Sequence, residues 1–320
     1  MTGKTVGFSF KEIKELEKSR KARDAQGLFV VEGKKMFLEA PVESLVCVIA
    51  EKDFSEANPK LLERLPGGVP VIADVRAERF AGLSDTKTPQ GILAVLKKPS
   101  IKPEEILRRL SEGGRGVPDS GESLHDREGV LRRLSEGGRG VPDSGEPLYN
   151  IEETLRPALK AGKPVRKAPL LLFLEDLQDP GNAGTILRTA EAAGVDAVFC
   201  TKNTVDYYHP KTIRSTMGSI FRVPQCVVED VPDFFGTLRK AGIRSFAAHL
   251  RGKRAYDEED YRGGSIFLIG NEGSGLSETA AAGADALIRI PMAGEVESLN
   301  AAMAAGILMF EASRQRRRGQ

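Results

Sequence analysis

The sequence predicts an α/β protein in two folded parts: a small α/β domain over residues 1–98 and a larger domain over 169–320 built on a parallel sheet. Three observations carry this. From residue 170 onward, near-continuous apolar runs alternate strictly with helical patterns, as strands buried on both faces require. Before residue 98 shorter strands and helices alternate over less chain. Between them, LRRLSEGGRGVPDSGE at 107–122 recurs unchanged at 131–146, half of it Gly, Ser, Asp and Pro. Two such copies cannot stack as a solenoid, so 99–168 is expected to be a flexible linker with a duplicated insert, each copy offering a short helix around LRRL.

In the small domain, 9–21 reads as one helix with Phe10, Ile13 and Leu16 on a face. Strands are expected at 28–31, 44–50, 69–73 and 91–96, with helical composition at 32–40 and 58–65. In the larger domain, strands are expected at 170–174, 195–200, 222–228, 243–249, 265–270 and 286–291. Helices are expected at 183–193, near 211–217, at 231–242, from Ser277, and from Leu299 to about Arg316. Ligands of open parallel sheets bind outside the carboxyl ends of the strands, where the three least ordinary segments of this chain fall.

Composition narrows the function classes. With 40% hydrophobic and 29% charged residues, the 320-residue chain resembles ordinary globular proteins. Cys47, Cys200 and Cys226 share no CxxC spacing, and His125, His209 and His249 are scattered, so neither a metal site nor a disulfide framework is expected. The N-terminus lacks the apolar core of a signal peptide, and no apolar run approaches the ~18 residues of a membrane span. A cytoplasmic protein without membrane contact is expected. The net charge of +2 is uninformative, but cations concentrate at Lys11, Lys14, Lys18, Arg20, Lys21, Arg23, Lys34 and Lys35, and at Arg314 and Arg316 to Arg318. Such clusters neutralise nucleic-acid phosphates. Interleaved Glu12, Glu15 and Glu17 fit a solvated helix face as well.

The first unusual segment is LEDLQDPGNAGTILRTAEAAG at 174–194, a buried strand ending in an acidic turn that feeds a helix. Pro180 and Gly181 set the turn, and Asn182 is a suitable helix N-cap. Arg188 is placed within reach of the same crevice, where its planar fork suits a phosphate or ribose-phosphate; a surface pair with Glu191 or Asp176 is the plain alternative. The second segment is FLIGNEGSGLSE at 267–278, whose glycines let backbone approach a ligand closely. It matches neither a Walker loop nor a dinucleotide fingerprint, which disfavours a nucleotide hydrolase or dehydrogenase. The third is IRIPMAGEVESLNAAMAAGILMFEASRQR at 288–316: a strand end, a small polar loop, then an Ala-rich helix with Ser298 as expected N-cap. Its stripe of Leu299, Met303, Ile307 and Phe310 reads as core or dimer interface.

Together and in this order, the three segments resemble the SpoU/TrmH family of RNA 2'-O-ribose methyltransferases, part of the SPOUT superfamily. The resemblance rests on Asp179-Pro180-Gly181-Asn182-x-Gly184 with Arg188, on Gly270-Asn271-Glu272-Gly273-x-Gly275, and on Ile290-Pro291-Met292 with Ser298-Leu299-Asn300. KTIRSTMGSIFRVP at 211–224, which contains Arg214, resembles the family's stretch between its first two motifs, and Arg214 joins the expected RNA-binding cations. The N-terminal part, with GLFVVEGKKMFLEA at 27–40, resembles the ribosomal-protein-like substrate-recognition domain often fused ahead of this one. The duplicated insert departs from the family pattern.

The resemblance implies a deep trefoil knot in the C-terminal domain, an exception to the rule against threaded chains. It implies S-adenosylmethionine as cofactor, held by backbone around Gly270, Ile290, Met292 and Leu299, and a symmetric homodimer through the first and last helices of that domain. The implied activity is methyl transfer to a ribose 2'-hydroxyl of structured RNA, ribosomal or transfer. Arg188 would activate that hydroxyl; since a guanidinium stays protonated, clamping the phosphate and stabilising the developing alkoxide is an equal role. Asn182 would orient Arg188 and the ribose, Glu272 would accept hydrogen bonds from the first motif or Arg188, and Ser298 with Asn300 would complete the pocket. The alternative from another class is a non-catalytic RNA-binding module keeping the fold.

Overall fold

A computed structural model describes residues 8–63, 65, 68–111 and 168–318. The N-terminal part begins with α1 (Phe10–Lys18) and α2 (Arg20–Gln26). The single helix expected over 9–21 is divided at Ser19, because that residue is extended and caps both ends. Its backbone N–H closes α1 onto Glu15, and its side chain accepts from Ala22 at the start of α2. Ser9 and Glu12 form a reciprocal capping box ahead of them. There follow β1 (Leu28–Glu32), α3 (Lys34–Glu39), β2 (Leu45–Glu51), α4 (Lys52–Ala57), α5 (Pro59–Glu63), β3 (Val71–Val75), α6 (Ala77–Ala81) and β4 (Ile92–Lys97). The sheet order is β1-β4-β2-β3, with β4 antiparallel to both neighbours and β2 parallel to β3.

The short helix expected around LRRL of the first copy is present and begins earlier, at Pro103, but it is docked and not part of a flexible linker. In α7 (Pro103–Ser111), Ile106 and Leu107 are buried in one cluster with Leu171, Phe199 and Phe234 of the larger domain. The helix is amphipathic and the larger sheet offers it an apolar face, a docking that the sequence of the repeat does not record. The second repeat copy and most of the first lie outside the described residues.

The larger domain contains β5 (Leu170–Leu174), α8 (Pro180–Ala193), β6 (Ala197–Thr201), α9 (Pro210–Thr216), β7 (Gln225–Val228), α10 (Val231–Lys240), β8 (Arg244–Ala248), β9 (Arg254–Ala255), β10 (Ser265–Ile269), α11 (Glu278–Gly283), β11 (Ala286–Arg289) and α12 (Ala301–Arg318). Its sheet runs β7-β6-β5-β10-β8-β11-β9, and every pairing is parallel. Every residue of β5 and β10 is buried, as a covered parallel sheet demands. From β5 the chain winds outward to β7 and then crosses to the other side, so the switch point lies between β5 and β10. Both sequence segments richest in turn residues leave the sheet there.

The two domains dock through buried polar contacts, and these revise the expected RNA-binding set. Arg23, 1% exposed, donates from Nε to Asp206 at 2.7 Å and from Nη1 to the carbonyls of Leu16 and Glu17. It is a structural ion pair between domains and not a phosphate ligand. Arg20 donates to the carbonyls of Thr204 and Lys202, at 3.0 and 3.1 Å, and Lys14 to that of Gly82. Phe29 packs on Tyr208 with ring centroids 4.7 Å apart. The C-terminal cations are largely internal too: Arg314 pairs with Glu311, and Arg316 donates to the carbonyls of Ala168, Pro169, Tyr261 and Gly263. Among the described residues no helix is long and apolar enough to cross a membrane.

Candidate functional site

At the switch point, β5 ends at Leu174 and the chain turns through Glu175 and Asp176 into α8. Asp176 holds a positive φ of 52°, rare for a residue with a side chain. Hydrogen bonds over-determine it. Its N–H donates to Thr201 Oγ1, its carboxylate accepts from Thr201 and Asn203, and its carbonyl accepts from Asn271 Nδ2 at 2.8 Å and Gln178 Nε2 at 2.9 Å. Backbone held in this way concentrates at functional turns.

The helix N-cap is Asp179, whose Oδ1 accepts from the Asn182 N–H at 2.7 Å, with Pro180 in the first helical position. Asn182 is therefore not the cap that its residue type suggests. Its side chain is released into the crevice, where Nδ2 donates to Glu272 Oε1 at 3.0 Å and Oδ1 accepts from Asn300 Nδ2 at 3.0 Å. Glu272 also accepts from the backbone N–H groups of Gln178 and Asp179, both at 3.1 Å. Burial pushes its carboxyl up, but the bonds from Asn182 and the two N–H groups outweigh that and hold it below its ordinary value. Its charge is thus secured at neutral pH.

The glycine turn after β10 is shaped by Asn271, whose Oδ1 accepts from Gly273 and Ser274 and whose backbone pairs with Gly275 in both directions at 3.0 Å. Gly270 has no room for a side chain: a Cβ would lie 2.1 Å from the Gly275 carbonyl carbon. Below the turn, buried Glu175 accepts from both the N–H and hydroxyl of Ser277, the N-cap of α11. Glu175 escaped the sequence reading, which held Asp176 only as an alternative partner of Arg188 and Asn271 only as part of the glycine motif; a Glu-Asp pair directly after a fully apolar strand was the available signal.

In the third segment the last helix begins at Ala301, and Asn300 caps it by accepting from Ala302 at 2.9 Å and Met303 at 3.3 Å. Ser298, the expected cap, is exposed and bonds to no described residue. The structure therefore brings Asn182, Glu272 and Asn300 together and leaves Ser298 outside the network. Arg188 also stands apart. Six residues along a helix leave about 120° between it and Asn182, and its exposed guanidinium makes no bond with any described residue. Gly270, Ile290 and Met292 are half-buried at the carboxyl ends of β10 and β11, and Leu299 is exposed beside the Asn300 cap. Those strands are separated only by β8, so their ends stand about 10 Å apart at ordinary strand spacing. The stripe expected as core or interface is not core: Met303 is 62% and Phe310 45% exposed, while Ala301, Ala305, Leu308, Met309 and Ala312 face inward. Among the described residues no group of His, Cys, Asp and Glu could hold a metal ion.

Comparison with known proteins agrees with this fold. Residues 169–310 match the SpoU rRNA Methylase family and residues 9–94 the MRM3-like substrate binding domain. The chain is 40% identical over 152 residues to an uncharacterized tRNA/rRNA methyltransferase of Synechocystis, covering 48% of this chain and 56% of that protein. It is 36% identical over 140 residues to the 23S rRNA (guanosine(2553)-2'-O)-methyltransferase RlmP of Bacillus subtilis, covering 44% of this chain and 56% of that protein. The chain thus spans somewhat over half the length of these curated relatives. Among solved structures, the SpoU methyltransferase AviRb of Streptomyces viridochromogenes superposes with a TM-score of 0.69 at 25% identity, over 97% of this chain and 98% of that one. An AdoMet-bound rRNA methyltransferase of Sinorhizobium meliloti gives 0.67 at 26% identity, over 95% and 94%. By its motifs, its fold and this match, residues 169–310 form a SpoU rRNA Methylase family domain, preceded by an MRM3-like substrate binding domain over residues 9–94.

Proposed function

We propose that this protein transfers a methyl group from S-adenosylmethionine to a ribose 2'-hydroxyl of structured RNA, ribosomal or transfer. The observation that carries the reading is the linkage of Glu272, Asn182 and Asn300, three residues from distant segments joined at the switch point of a parallel sheet. The fit to the cofactor rests on backbone: the cradle at Gly270 would be filled by any Cβ, and the segment from Ile290 to Leu299, which follows the strand two positions away in the sheet, lies outside helix and strand. Gly270, Ile290, Met292 and Leu299 would hold the cofactor, which supplies an activated methyl on a sulfonium.

What this chain must add is orientation and charge. Glu272 fixes the turn before α8 and aims Asn182; Asn300 locks Asn182 from the other side, so its amide is presented in one orientation. Positioning of that kind accounts for much of the acceleration in group transfer. Arg188, exposed and unpaired among the described residues, is free to clamp the phosphate beside the reacting ribose and to stabilise charge on the 2'-oxygen. Ser298, also without a partner among the described residues, is available to substrate.

We also propose that the N-terminal domain captures the RNA. Its exposed cations Lys11, Lys18, Lys21 and Lys34, with Arg214 at the domain junction, support this, whereas Arg23 is excluded by burial. A symmetric dimer through α8 and α12 is proposed on the exposed apolar stripe of Met303 and Phe310, and the trefoil knot of the family on the packing of α12 against α8 and β10.

The deciding experiment is transfer of labelled methyl from S-adenosylmethionine to cellular RNA, with nuclease digestion to identify 2'-O-methylated nucleosides. Wild type should label RNA, and Asn182→Ala should lose about 10²-fold in kcat. RNA binding without any methyl transfer would instead mark a binding module.

A further inference from the structure

Arg188 has two acidic residues as candidate partners, Glu191 on its own helix and Asp176 in the turn before it, and both are engaged by other groups. Glu191 is three residues along α8, the spacing at which oppositely charged side chains meet on a helix. Its Oε1 accepts from Arg222 Nε, and its Oε2 from the Ser219 hydroxyl and from Arg222 Nη2 at 3.1 Å. Asp176, the other candidate, is taken by Thr201 at 2.6 Å and Asn203 at 3.3 Å. The third donor direction of Arg222 reaches Glu39 of α3, so one guanidinium bridges a carboxylate of α8 and a carboxylate of the N-terminal domain. Gly218 marks how tightly this is packed: a Cβ there would overlap the Glu39 carboxylate.

We propose that Arg222 is a positioning residue for the reaction: by holding Glu191, it prevents an Arg188–Glu191 ion pair and keeps the Arg188 guanidinium free for RNA. The fork geometry of arginine suits this, since it satisfies both Glu191 oxygens while leaving one amine for Glu39. Without Arg222, Glu191 retains the Ser219 bond but carries an unneutralised charge one helical turn from Arg188. Because Glu39 belongs to the other domain, the availability of Arg188 is tied to the docking of the two domains.

The inference rests on the reading of Arg188 given above, and a mutant cycle separates the two. Arg222→Gln should lower kcat about twofold to fivefold, the population shift that a half-exposed ion pair supports. Arg222→Gln with Glu191→Gln should recover the kcat of Glu191→Gln alone, because the competing carboxylate is gone. A merely structural Arg222 would leave the double variant as impaired as the single one, and that result, or an undiminished Arg222→Gln enzyme, overturns the proposal. If Gln at 222 prevents folding, Arg222→Met, which keeps the aliphatic stem and removes the charge, replaces it and the rescue by Glu191→Gln again decides. A readout without activity is the 15N spectrum of the Arg188 guanidinium, whose Nε proton exchange should slow in Arg222→Gln and return in the double variant. Should the wild type transfer no methyl, the function proposal fails while this spectrum still supports or overturns the pairing.

Discussion

Asn182 donates to Glu272 across 3.0 Å, although the two lie ninety residues apart and leave different strands of the sheet. The contact exists because Asp179 takes over the capping of α8 and frees the asparagine side chain. A cap and a site residue are separated here by three positions, and the division of labour between them builds the crevice.

Replacement of Arg188 tests the chemistry directly. Its side chain is exposed and makes no bond with any described residue, so Arg188→Ala should leave stability within about 0.5 kcal/mol of wild type. Methyl transfer should nevertheless be abolished while S-adenosylmethionine affinity, measured by calorimetry, stays nearly the same. Retained transfer would remove Arg188 from the reaction.

Gly270→Ala tests the cradle. The added methyl would collide with the backbone of Gly275 and Leu276, which cannot move without opening the Asn271–Gly275 pairing. Cofactor binding by calorimetry should fall below detection while the sheet, followed by circular dichroism, persists. Unchanged affinity would show that the cofactor does not rely on this turn.

Arg23 offers a test of docking against RNA contact. Removing one partner of a buried ion pair strands the other, at a cost of about 3–5 kcal/mol. Arg23→Ala should therefore lower unfolding stability by that order in a denaturant titration. The salt dependence of RNA binding should keep its slope, because a buried guanidinium displaces no counterions from phosphate. Exposed Lys18→Ala should do the reverse.

Glu17 predicts a pH dependence. It is 7% exposed, and burial, with repulsion from Glu32 and Asp85, pushes its carboxyl up to about 8 from an ordinary 4.5. The native state thus keeps a proton that the unfolded chain releases. Its contribution to stability is full below 4.5 and is lost as pH rises through 8. Glu17→Gln mimics the protonated form. It should match wild type in thermal melts near the lower value and exceed it near the upper one, by on the order of 2 kcal/mol. A gap that does not widen with pH would contradict this.

The sequence by itself determined the two-domain α/β organisation, the parallel sheet and the three segments that gather at its switch point. These are local or periodic properties: an unbroken apolar run is a covered strand wherever it sits, and Gly-Asn-rich turns after such strands lie at the ligand-binding edge. Only the tertiary structure decided which side chain does what there. Asn182 and Ser298 both read as caps, yet Asp179 and Asn300 perform that task, because the choice among neighbouring polar residues depends on what stands opposite. Arg23 and Arg316 read as surface cations and are consumed by a carboxylate and by carbonyls from other parts of the chain. Pairing and burial of charge are set by contacts distant in sequence, so no periodicity records them. The freedom of Arg188 is the same kind of fact, resting on Arg222 having taken the acid that would otherwise bind it.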